Sequence, residues 1–131
     1  MAAHHILVAD DEPHIGRLVK TKLEQGPFVV TLVQDGGAAL AALEADPEIA
    51  VAILDIMMPV ATGLDVLRKV RSDPRWKDLP CLVLTAAGQR EQHEQAMALG
   101  ASEFMTKPFS PKRLLARVSE LAGVPVAERG A

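Results

Sequence analysis

Short apolar runs alternate with longer amphipathic stretches along the whole chain. Ile6-Leu7-Val8-Ala9 is a four-residue apolar run ending in acids, the signature of a buried strand. Val29 to Val33, Val51 to Leu54, Cys81 to Leu84 and Glu103 to Thr106 give four more strands. Between them the apolar residues take helical spacing. Pro13 suits a first helical turn, Ile15, Leu18, Val19 and Leu23 follow, and Gly26-Pro27 stops that helix. Asp35 can cap a second helix carrying Leu40 and Leu43, which ends near Asp46-Pro47. Gly63 opens a third, with Leu64, Leu67 and Val70 on one face and Asp73-Pro74 at its close. Gln89 to Leu99 is a fourth, with Gly100 past its end. Ser110 caps a last helix with Pro111 at its start and Leu114, Leu115, Val118 and Leu121 along it. Uninterrupted apolar strands alternating with helices predict an α/β fold. It is a doubly wound, five-stranded parallel sheet in a three-layer α/β/α sandwich. The pattern predicts one domain over 4–122 and a loose tail from Gly123 to Ala131.

Composition narrows the function classes. The chain has 131 residues, 49% hydrophobic and 24% charged, the balance of an ordinary globular domain. Trp76 is the single tryptophan and tyrosine is absent, so the core is aliphatic. A net charge of −3 with no basic patch argues against direct nucleic-acid binding. No apolar run is long enough to insert in a membrane, and Met1 to His5 is too short and polar for a signal peptide. Cys81, the single cysteine, lies in an apolar run and reads as a buried thiol. These features suit a reducing cytoplasm. His4 and His5 stand at a terminus expected to fray, and read as solvated side chains, not metal ligands.

The chemistry collects at strand ends. Strand one ends at Asp10 and Asp11, strand three at Asp55, strand four at Thr85 and strand five at Lys107. An open parallel sheet binds ligands outside the carboxyl ends of its strands, so the fold brings these five together. Three carboxylates in one pocket repel, which raises the pKa of at least one. A hard cation relieves that repulsion, and Mg²⁺ suits a few carboxylates plus waters and phosphate oxygens. A carboxylate can attack phosphorus, while an ammonium and a hydroxyl stabilise the phosphoryl oxygens. Taken singly, Asp11 could be a helix cap, Thr85 a strand end and Lys107 a solvated charge. Their joint placement points to phosphoryl acceptance.

From Ile6 to Leu121 the chain resembles the receiver domain of two-component response regulators, including the chemotaxis regulators. The resemblance rests on ILVADDEP at Ile6 to Pro13, ILDIMMP at Ile53 to Pro59, Gly63, LVLTA at Leu82 to Ala86 and FMTKPF at Phe104 to Phe109. It implies the flavodoxin-like strand order 2-1-3-4-5 and an aspartyl phosphate on Asp55. It implies Mg²⁺ held by Asp11, Asp55 and the Met57 carbonyl, with Asp10 acting through water. Thr85 and Lys107 would contact the phosphoryl group, and Thr85 with Phe104 would form the switch. Lys107-Pro108 matches a peptide bond that is commonly cis in the family. The implied donor is a histidine kinase or histidine phosphotransfer protein, docking near His14, Ile15, Leu18 and Lys22. The domain would signal through an output surface built from helix four, strand five and helix five, toward a partner the sequence does not name. It would not be an enzyme, though it would phosphorylate and dephosphorylate itself with Mg²⁺. The resemblance also allows a phosphorylation-dependent dimer.

Val60, Ala61 and Thr62 depart from the family pattern after Pro59 and leave an apolar loop beside the acceptor. Met57 and Ala87, two residues beyond Asp55 and Thr85, are expected to tune phosphate lifetime. Neither side chain can orient an attacking water, so dephosphorylation is expected to be slow. Three other classes compete. An interaction module without phosphate turnover has no need of a self-repelling acid cluster. A dehalogenase-type phosphatase wants a second aspartate where Met57 stands. A flavin binder wants amides and hydroxyls where Asp10-Asp11-Glu12 would repel phosphate.

Overall fold

The computed structural model describes residues 4–124. The strands are β1 His4–Ala9, β2 Phe28–Val33, β3 Ile49–Asp55, β4 Cys81–Ala86 and β5 Glu103–Lys107. The helices are α1 Pro13–Leu23, α2 Gly36–Ala45, α3 Gly63–Ser72, α4 Arg90–Ala98 and α5 Pro111–Ala122. All neighbouring strands run parallel, in the order β2-β1-β3-β4-β5.

Side chains alternate across the sheet, so each apolar strand feeds two cores. Leu7, Ala9, Ala52, Leu54 and Val83 pack with Leu43 of α2, Val66, Leu67 and Val70 of α3 and Ala96 of α4. Ile6, Val8, Ile53, Leu82 and Leu84 pack with Val19 and Leu23 of α1 and Leu114 and Val118 of α5. This double burial is why the strands read as unbroken apolar runs.

Local chemistry places the helix starts. The Asp35 side chain accepts from the Ala38 N–H at 2.7 Å, and Ser110 Oγ accepts from the Arg113 N–H at 3.2 Å. Thr62 and Asp65 form a reciprocal capping box at α3. Glu12 caps α1 without a side-chain bond, because Pro13 already removes one orphan donor.

Several sequence expectations need correction. β1 starts at His4, two residues before the apolar run, because pairing with Phe28 and Val29 extends the ladder outward. The histidines are therefore not solvated at a frayed end. His5 Nδ1 lies 2.7 Å from Asp46 Oδ2, and the His4 ring tilts against Phe28. β4 runs two residues past its apolar run, to Ala86, and β5 one residue further, to Lys107. Leu18 faces solvent, since the buried stripe of α1 is Gly16, Val19 and Leu23. Gly123 is the left-handed cap of α5 and the Val124 N–H donates to Ser119 O, so the first two residues of the expected tail close the helix. The rest of that expected tail, residues 125–131, lies outside the described residues.

Candidate functional site

The carboxyl ends of β1, β3, β4 and β5 and the loops after them form one cavity of about 270 Å³, lined by Asp11, Glu12, Asp55, Met57, Ala86 and Lys107. Asp55 is 3% exposed, Asp11 is exposed, and Asp10, 0% exposed, lies buried beside them. One carboxylate oxygen from each of Asp10, Asp11 and Asp55 lies within 4.8 Å of the others.

A single cation crosses this acid cluster. Lys107 Nζ donates to Asp55 Oδ2 at 2.9 Å and to Glu12 Oε1 at 2.9 Å, and sits 3.2 Å from Asp10 Oδ2. Burial alone would lower the Lys107 pKa, but its hydrogen bonds to Glu12 and Asp55 outweigh this and raise it. The Asp55 pKa is pushed up to about 6, chiefly by burial and further by the Asp10 charge, while Lys107 pulls against both. Backbone donors orient the acids. The Met57 N–H donates to Asp55 Oδ1 at 3.2 Å, and the Glu12 N–H to Asp10 Oδ1 at 2.9 Å.

The loop after β3 is closely fitted. A Cβ on Gly63 would stand 2.4 Å from the Asp55 carbonyl oxygen, so only glycine lets α3 start directly beneath the acid. Val60 sits at φ 71, a left-handed conformation that a β-branched residue rarely adopts. Its side chain is 85% exposed, and that of neighbouring Met57 is 62% exposed.

Thr85 is 1% exposed, and its Oγ1 has no hydrogen-bond partner. It lies one residue past Leu84, which pairs with Asp55 across β3 and β4. Ala87 stands in the exposed turn after β4, and Ala86 lines the cavity in its stead. Phe104 is farther from the acids, half-buried on β5 and packed against the α3-side core. The Lys107–Pro108 peptide bond is cis. Sequence reasoning missed the Glu12–Lys107 pair. The two residues are 95 apart in sequence, and no local pattern announces the contact.

This donor set fits a hard divalent cation. The ligand atoms are carboxylate oxygens, with neither imidazole nor thiolate among them, and the buried Asp10 Oδ2 accepts no hydrogen bond and faces only the Lys107 ammonium at 3.2 Å.

Residues 6–119 match the family model described as "Response regulator receiver domain". The chain belongs to that family. Among curated relatives, it is 40% identical over 118 residues to the DNA-binding dual master transcriptional regulator RpaA of Synechocystis, covering 88% of this chain and 48% of that one. It is 35% identical over 116 residues to the phosphate regulon regulatory protein PhoB of Klebsiella pneumoniae, covering 88% of this chain and 50% of that one. This receiver domain thus spans about half the length of the curated relatives it matches. Among solved structures it is similar to the chemotaxis response regulator CheY4 of Vibrio cholerae, with TM-score 0.84, 31% identity and coverage of 91% and 98% of the two chains. The receiver domain of the Francisella response regulator 1452 gives TM-score 0.84 at 31% identity, covering 92% and 97%. These neighbours share the flavodoxin-like receiver fold described above. Among the described residues, no helix is long and apolar enough to cross a membrane.

Proposed function

We propose that this receiver, over residues 4–122, accepts a phosphoryl group on Asp55 from a histidine kinase or histidine phosphotransfer protein in the cytoplasm. The observation that carries the reading is Asp55 itself: buried, bonded to Lys107 at 2.9 Å and opening on a cavity it shares with Asp11. An Asp55 carboxylate oxygen attacks phosphorus, the P–N bond to the donor imidazole breaks, and the imidazole leaves with the electron pair. Lys107 stays beside the new acyl phosphate as a counter-charge, and the partnerless Thr85 hydroxyl donates to a phosphoryl oxygen. Asp11, Asp55 and the Met57 carbonyl would hold Mg²⁺, with Asp10 acting through water. When bound, the ion supplies charge neutralisation of the acids and of the phosphoryl oxygens. Thr85 and Phe104 form the switch that carries the change to the α4–β5–α5 face. Exposed Leu18 offers the donor an apolar contact on α1, flanked by His14, Ile15 and Lys22.

Intact-mass spectrometry after incubation with acetyl phosphate tests this. One phosphoryl group should be gained with Mg²⁺, and none without it or in Asp55→Asn. No gain from acetyl phosphate or from a phosphohistidine donor would leave an interaction module without phosphate turnover. Lifetime is a separate expectation. Met57 and Ala87 cannot orient water, so Met57→Asn should release phosphate several-fold faster; equal or slower release would remove them as lifetime determinants.

A further inference from the structure

The first turn of α4 reaches in two directions. Gln92 Nε2 lies 4.0 Å from Met57 Sδ, above the acceptor. The next residue, His93, stacks its ring on Phe104 of β5, with centroids 4.4 Å apart and an interplanar angle of 20°. His93 Nε2 is buried there with no hydrogen-bond partner. A buried ring nitrogen normally finds one, so the orientation of this imidazole follows the stack and not a hydrogen bond. Phe104 also lines a cavity of about 540 Å³ with Met97, Thr106, Pro108 and Phe109, so space exists beside the stacked ring. Two residues after Phe104, Thr106 pairs with Thr85, whose hydroxyl is also partnerless.

We infer that His93 is a positioning residue that pins the Phe104 ring in the unmodified domain and so sets how readily the domain switches. The inference rests on the acceptor and switch reading above. A contact present only in the unmodified form opposes any ligand that favours the other form, by its own free energy. Removing the stack should therefore strengthen binding of a phosphoryl mimic at Asp55, although His93 is not among the residues lining that cavity.

Beryllofluoride with Mg²⁺ is the probe, titrated against the full chain carrying fluorophenylalanine. Its three phenylalanines give three fluorine resonances, and Phe104→Leu assigns the relevant one. His93→Ala and His93→Gln should move the Phe104 resonance and tighten beryllofluoride binding about two- to tenfold, the range that a stacked ring pair supplies. His93→Phe, which restores a stacked ring, should bind as the parent does. Unchanged affinity in both ring-less variants, or His93→Phe behaving like His93→Ala, would overturn the inference while leaving the acceptor reading intact. A parent chain that binds no beryllofluoride would sink the acceptor reading itself, and this coupling with it.

Discussion

Asp55 gathers the site's conflict into one carboxyl group. Its raised pKa, about 6, means that burial and Asp10 cost more than Lys107 returns. An unfolded aspartate titrates at about 3.9, so between the two values the native state binds more protons than the unfolded chain. Stability in metal-free buffer must then fall as pH rises through that window. Asp55→Asn has no charge to lose or gain there. It should be more stable than the parent by about 2 kcal/mol at pH 8, with the gap shrinking as pH drops below 6. Urea unfolding at three pH values measures this, and a gap that does not depend on pH would refute the raised pKa. Cys81 shows burial prevailing over a nearby cation: its thiol is pushed up to about 11 although the Arg71 guanidinium pulls it down, which makes it a poor nucleophile.

The decisive element is the connection from β3 to α3. It must pass Asp55, hold the Met57 N–H on that carboxylate and start a helix within a few residues. Two substitutions there should act with opposite signs. Val60→Asn keeps a side chain that tolerates the left-handed region and should stabilise the domain by about 1 kcal/mol. Gly63→Ala forces a methyl against the Asp55 backbone and should cost about 1–3 kcal/mol. Thermal melts of both variants check the pair. Equal effects would mean that the loop yields freely and that Val60 stores no strain. The connection also presses on α2, where a Cβ on Gly36 would stand 2.1 Å from the Ala61 carbonyl oxygen. Thr62, a departure from the family pattern, serves α3 as the N-cap of a capping box with Asp65, three residues on.

For the whole molecule, two aliphatic cores grip the sheet from both faces and leave the acids at one edge without an apolar cover. Such an arrangement gains stability when the acid cluster is neutralised. Millimolar Mg²⁺ should raise the melting temperature by about 3–6 °C, as a ligand at roughly ten times its Kd would do for a domain of this size. Asp11→Ala should abolish that response, and without the ion should melt no lower than the parent. A parent melting curve indifferent to Mg²⁺ would remove the metal site. At the opposite edge, His5 and Asp46 tie the start of β1 to the end of α2.

By itself the sequence determined the strands, the helices, their parallel two-sided packing and the gathering of Asp10, Asp11, Asp55 and Lys107 at one edge of the sheet. Each of these follows from a short-range pattern: apolar runs need burial on both faces, and strand ends carry the chemistry. What only the tertiary structure decided involves partners distant in the chain. Lys107 shared among Asp10, Glu12 and Asp55, His5 held by Asp46, and the ring of His93 against Phe104 all depend on which elements become neighbours. No local periodicity encodes that choice, because it is made by packing between helices and strands. The left-handed turn at Val60 belongs to the same class. A valine read in sequence predicts extended backbone, and the tight fit of α2 and α3 against the loop accompanies the other conformation.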